Sequence, residues 1–197
     1  MRRLKLINAI SEAIIPILGV LFFEWGIYFI LLFYFIDLIV SEAFIYLKVD
    51  KIIAFQRIKF PFKIRYGRLI FNTLLMCVLI LLAHIALYFI VPSINFYQEF
   101  VDFINYVEVG IPIPQGYILL PLVILGNFQQ YKVGFIKTNS YKFLSWKNVV
   151  YSRRKALLIG MIGGMIAITF AFFLTIPASI YIFLIITVKF YIDAYMT

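Results

Sequence analysis

Four carboxylates and one ammonium stand inside stretches that are otherwise apolar enough to lie in lipid: Glu12, Asp37, Glu42, Asp193 and Lys189. An ionised group in hydrocarbon is costly unless it is partnered, so residues of this kind mark an ion or proton path, a ligand site, or a contact that sets helix register. Counting about 1.5 Å per residue from the basic ends of the apolar stretches puts Glu12 and Glu42 at matching depth in the inner third of a bilayer. On the same count Asp37 is nearer the middle, one turn from Ser41 on the same face. Lys189, a strongly basic side chain expected within the last span, arrives between Asp37 and Glu42, and Asp193 follows four residues later. The sequence therefore predicts a buried polar cluster of Glu12, Asp37, Glu42 and Lys189, with Asp193 beside it and Asn72 and Asn127 or Gln130 as hydrogen-bond partners. Such a cluster could carry a proton or cation, hold a ligand, or fix helix register; the residues alone leave these open.

Other chemistry has little to work with. His84 is the single histidine and Cys77 the single cysteine, both on one apolar stretch, with no partner that would make a catalytic dyad or a metal site. A core histidine bonded to a neighbouring carbonyl is the expectation for His84. No nucleophile elbow, zinc-protease pattern, phosphate-cradling glycine loop or dinucleotide fingerprint occurs. The sequence points to a non-enzymatic protein with neither metal nor cofactor.

The elements that must position these residues are helices in a membrane. With 64% hydrophobic residues, 14% charged and a mean hydropathy of +1.02, 197 residues offer too little polar surface to cover a soluble globule. Six apolar stretches at about 6–23, 25–47, 69–91, 116–136, 156–175 and 178–195 predict an all-α polytopic transmembrane bundle, one domain over 1–197, opening on an uncleaved first span. Four or five spans are the alternatives, because Pro121 interrupts the fourth stretch and Pro177 could kink a single long helix. The net charge of +9 is unevenly placed. The basic connections at 48–68 and 137–155 alternate with a loop after Pro92 that holds Glu99, Asp102 and Glu108 and no Lys or Arg. Basic loops face the cytoplasm, so both termini are expected inside a bacterial inner (plasma) membrane. In the acidic loop Phe96, Phe100, Phe103 and Val107 recur at helical spacing and predict a short amphipathic helix in the outer interface.

The basic connections interleave aromatics with Arg57, Lys59, Lys63, Arg65 and Arg68 in the first and Lys142, Lys147, Arg153, Arg154 and Lys155 in the second. Such a face suits anionic lipid headgroups, and less directly RNA or an RNA-bound protein; DNA is not expected. Gly160, Gly163 and Gly164 form a small-residue stripe in LLIGMIGGMIAITFAFF that lets two backbones approach closely, within the chain or between subunits of a homo-oligomer.

The stretch GVLFFEWGIYFILLFYFIDLIVSEAFIYLK resembles the opening of an uncharacterised prokaryotic family of multi-spanning proteins known only as a domain of unknown function. The family's acid corresponds to Asp37, and ITVKFYIDAY is similar to its Leu-Lys-x-x-x-Asp ending at Lys189 and Asp193. The family's middle-span histidines have no counterpart, Asn127 standing near one such place. By type rather than by motif, the chain also resembles the small basic membrane accessories of type VI-B CRISPR RNA-targeting nucleases, which implies a role in antiviral defence. The leading expectation is a membrane accessory or effector acting through its cytoplasmic basic face. The alternative is a channel or small transporter built on the intramembrane cluster.

Overall fold

The computed structural model describes residues 2–57, 62–105, 114–174 and 176–195, with side chains omitted for 2–8, 62–65 and 115. Helix α1 (Arg2–Phe22) closes in a tight turn in which Phe23 and Trp25 both donate their backbone N–H to Gly19 O, each at 3.1 Å. A Cβ on Gly19 would collide with the Trp25 ring, so glycine is what lets the chain fold back on itself here. Glu24 turns the corner at φ 51°. Helix α2 (Ile27–Gln56) is the axis of the molecule. Its first turns, Ile27 to Phe35, are apolar all round and largely buried, as a helix enclosed by others must be.

Around that axis lie α3 (Phe62–Ile90), α4 (Phe96–Asn105), α5 (Gln115–Gln129), α6 (Trp146–Phe173) and α7 (Ala178–Tyr195). Helix α3 packs chiefly on α6, α1 on α7, and α5 on α2. Helix α5 runs into a π-helical segment, Gln130–Lys137, and then a single 3-10 turn, Ser140–Lys142. No strand occurs among the described residues.

Two apolar cores result. One gathers Trp25, Ile30, Phe33, Leu87, Phe103, Val123 and Ile186. The other gathers Val49, Ile52, Leu69, Phe135, Trp146 and Val150. Buried Asp37, Glu42, Asn72, Asn127 and Arg153 each fall, along their own helices, between or beside residues of the two cores, so the polar groups form a layer between apolar slabs.

Four helices are long and apolar enough to cross a membrane: Ile27–Gln56, Tyr66–Ile90, Trp146–Phe173 and Ala178–Tyr195. The apolar part of α1, Ala9–Phe22, is shorter, and α5 has 15 residues before the π segment. Several boundaries differ from those expected. The stretch placed at 25–47 continues as one helix to Gln56, capped by Arg57 in the left-handed region with its N–H on Ile53 O. The stretch placed at 156–175 begins ten residues earlier, at Trp146. The expected hairpin at Pro177 is present, with α6 ending at Phe173 and α7 starting at Ala178.

The amphipathic helix expected in the acidic loop is α4. Phe103 is fully buried, whereas Tyr97 and Phe100 are exposed; Val107 and Glu108 lie outside the described residues. Helix α4 reaches α5 through Gly116, where a Cβ would stand 2.8 Å from the Ile104 Cα and 2.9 Å from its carbonyl oxygen.

Candidate functional site

Lys189, on α7, is the hub of the polar layer. Its Nζ lies 2.9 Å from Asp37 Oδ2 on α2, 3.3 Å from Glu12 Oε2 on α1, and in contact with Asp193 one turn along α7. The second carboxylate oxygens of Asp37 and Glu12 are held by amides from the third direction. Asn127 donates from Nδ2 to Asp37 Oδ1 at 2.8 Å and to Val123 O at 3.1 Å. Gln130, the first residue of the π segment, donates from Nε2 to Glu12 Oε1 at 2.6 Å. π turns recur at functional sites because they re-aim side chains within a helix, and here the segment begins at the residue that engages Glu12. The Tyr34 ring centroid lies 5.7 Å from Lys189 Nζ, within cation–π range.

Glu42 and Asn72 are not part of this centre. Glu42 pairs instead with Arg153 on α6, Nε to Oε2 at 2.8 Å, and Arg153 Nη2 also donates to Leu38 O at 2.9 Å. Asn72 donates to Val150 O at 3.0 Å and accepts from Arg154 Nε at 3.1 Å. The expected single cluster is therefore two centres that share α2: an acid–lysine centre and an arginine clamp joining α2, α3 and α6. Lys189 accordingly is not alone among basic side chains within the candidate membrane helices. Arg153, expected on the basic face, is buried, because α6 begins early enough to carry it inside.

The rest of the basic face divides in the same way. Arg154 is half-buried, stacked 4.6 Å from the Phe71 centroid. Arg57, Arg68, Lys142, Lys147 and Lys155 are exposed. Lys59 lies outside the described residues, and of Lys63 and Arg65 only the helical backbone is described. The two basic segments meet at one end of the molecule: Gln56 Nε2 donates to Leu144 O at 3.1 Å, Phe55 stacks edge-on against Tyr141, and Arg68 lies 5.3 Å from the Trp146 centroid. Phe143 protrudes there, 83% exposed.

The glycine stripe serves contacts within the chain. An ideal Cβ on Gly160 would stand 3.0 Å from Leu79 on α3, one on Gly163 3.7 Å from Val188 on α7, and one on Gly164 3.9 Å from Leu82. All three glycines, with Glu12, Asp37, Asn127, Gln130, Arg153, Lys189 and Asp193, line a central cavity of about 1090 Å³.

His84 donates from Nδ1 to Ile80 O at 2.8 Å, a bond to a neighbouring carbonyl as expected, which leaves Nε2 to accept from the Tyr28 hydroxyl at 3.2 Å. It is stacked on Phe35 and flanked by Phe96. Among the described residues no three of His, Cys, Asp and Glu converge as a set that could hold a metal ion.

Two features were not anticipated from the sequence. Arg153 as the partner of Glu42 could have been found from the helical spacing of Trp146, Val150, Arg153 and Leu157, all buried. The buried hydroxyls of Tyr34 and Tyr181, which have no hydrogen-bond partner, carry no sequence signal.

The described residues are helical apart from turns, and four of the helices are long and apolar enough to cross a membrane, an architecture compatible with a transmembrane helical bundle. Compared with family models, curated proteins and solved structures, the chain matches none.

Proposed function

We propose that this chain is a small membrane carrier or channel that moves a proton or a small cation by partner exchange at Lys189. What supports the reading above all is that one ammonium is shared by carboxylates from α1, α2 and α7 on the wall of a cavity of about 1090 Å³. Three carboxylates against one ammonium leave an excess of negative charge when all four are ionised. In a low-dielectric layer that excess attracts a proton or cation strongly. An entering cation competes with Lys189 for Asp37, and Asn127 and Gln130 keep Asp37 and Glu12 aimed at the cavity while partners change. The same reading takes the chain as non-enzymatic, with six spans and both termini in the cytoplasm of a bacterial inner membrane, the threading that puts the basic connections inside. Proteoliposomes loaded with a pH-sensitive dye test it. Wild-type vesicles should pass protons or monovalent cations, and Asp37→Asn, which keeps the shape and removes the charge, should abolish the flux; silent wild-type vesicles refute the reading.

A second reading is favoured by Phe143, exposed among Lys137, Lys142 and Lys147 at the end where the basic segments meet. There the chain would dock anionic lipid or a cytoplasmic protein or RNA–protein partner and act as an accessory, the type VI-B CRISPR nuclease being the partner implied by resemblance of type. Loss of a co-purifying partner in Lys142→Glu/Lys147→Glu, with normal insertion, would support it. Self-association finds no help in the glycine stripe, whose three residues face Leu79, Val188 and Leu82 of the same chain.

A further inference from the structure

The central cavity has two unlike halves. Along α2 its wall runs from Ile27 to Lys48, roughly 30 Å at about 1.5 Å per residue, with Asp37 near the midpoint. From Asp37 toward the end where the basic segments meet, polar side chains stand on the wall from several elements: Ser41 and Lys48 of α2, Asn148 and Ser152 of α6, and Thr138 after the π segment. From Asp37 toward the α4 end the wall is Leu31 of α2, Ala86 and Leu87 of α3, Ala167 of α6 and Ile185 of α7. Tyr181 on that half contributes only its ring, since its hydroxyl is buried away from accessible space.

The two ends differ in exposure as well. Asn148 and Thr138 are exposed, so the polar half has its mouth at the basic end. At the opposite end Ile27, Leu31, Leu87 and Tyr181 are buried and share one core with Phe103 of α4. A roomy space with polar walls holds water, whereas an apolar one stays dry. Apolar constrictions stop ions by losing their water.

We infer that the Lys189 centre is held in a one-sided state. Water reaches Asp37 and Glu12 from the basic end through the polar half, and the dry apolar half seals them from the α4 end. The centre is thus the floor of a vestibule rather than the middle of a through-pore. A carrier built this way exposes its centre to the second side only after the apolar half opens. The inference goes beyond the transport reading, because access is a property of the walls whether or not an ion crosses.

The test is cysteine labelling of the full chain, with Cys77→Ser as background, in spheroplasts and in inverted vesicles from an expressing bacterium. The reagent is a membrane-impermeant cationic methanethiosulfonate. Phe143→Cys and Tyr97→Cys, at side chains 83% and 76% exposed, report which membrane face carries the basic end and which carries α4. Ser41→Cys, one turn on the basic side of Asp37, should react from the Phe143 face and not from the Tyr97 face. Ala167→Cys lies one turn beyond Gly163, which stands against Val188 beside Lys189. From either face it should react at least about tenfold more slowly than Ser41→Cys, because a thiol in apolar surroundings forms little of the reactive thiolate. Asn148→Cys and Ala86→Cys repeat the comparison at a second pair of positions, and labelling in SDS gives the endpoint for all four. The inference is overturned if the Ser41 and Asn148 variants react from the Tyr97 face or from neither, or if the Ala167 and Ala86 variants keep pace with them. The expected labelling in a protein that passes no ions sinks the transport reading alone; flux with all four positions labelled alike leaves transport standing and ends this inference.

Discussion

Replacing Arg153 with methionine would leave the Glu42 carboxylate alone in the middle of the bundle. The side chains of the pair are 7% and 4% exposed, the Arg153 Nε bond to Glu42 Oε2 is 2.8 Å, and Glu42 Oε1 has no hydrogen-bond partner. Arg153 therefore supplies the compensation that the structure gives this carboxylate. Removing one member of a buried ion pair typically costs about 3–5 kcal/mol, because the other charge stays buried. Leu38 O, which also accepts from Ser41 Oγ, keeps one donor when Arg153 is lost, so that carbonyl adds little. At about 2–4 °C per kcal/mol for a chain of this size, the expected loss in Tm is roughly 10 °C. Trp25 and Trp146 are buried, one in each core, and their fluorescence on heating in detergent reports both halves. Arg153→Met combined with Glu42→Leu removes both charges and should recover to within about 1 kcal/mol of wild type or exceed it. A single variant that loses less than about 1 kcal/mol, or a double variant no more stable than the single, refutes the pairing.

Other outcomes follow from neighbouring geometry. Gly116→Ala forces a Cβ against Ile104 backbone and should cost about 1–3 kcal/mol, seen as faster amide exchange across α4, whereas Gly164→Ala, with its first neighbour at 3.9 Å, should leave Tm within a degree or two, under about 0.5 kcal/mol. Asn72→Leu strips Val150 O of its donor and Arg154 of its acceptor and should cost about 1–3 kcal/mol in the same melting assay. His84 should show the Nδ1-protonated tautomer by ¹⁵N NMR, set by Ile80 O, and Tyr28→Phe should shift the Nε2 signal without unfolding. Lys189→Met confronts three carboxylates with no cation and should melt well below wild type, while adding Asp37→Asn should recover part of the loss.

Apolar run length was enough to place helices at each of the six expected stretches, and the spacing of Phe96, Phe100 and Phe103 was enough for α4. The start of α6 was hidden because WKNVVYSRRK carries the charge of a loop while hiding a helical face in Trp146, Val150 and Arg153. Depth along a helix was legible; direction around it was not. Asp37 and Glu42 are five residues apart, which at 3.6 residues per turn sets them about 140° apart on α2. They cannot face one lysine, and Glu42 finds Arg153 instead. Asn127 or Gln130 was expected as a hydrogen-bond partner and both serve, one on Asp37 and the other on Glu12; which acid each serves depends on the π segment, whose wider turn has no sequence signature. The pairing of Gly160 with Leu79 was likewise beyond reach, since a small-residue stripe says that something approaches closely without saying what.

Lys189 and Asp193 lie on the same helix, one turn apart and in contact, while Glu12 and Asp37 are contributed by two others. Helix α7 thus carries its own counterion. If α7 slides or tilts against α1 and α2, it drags a self-neutralised couple rather than a bare charge through a medium of low permittivity, and the electrostatic barrier to that displacement is correspondingly small.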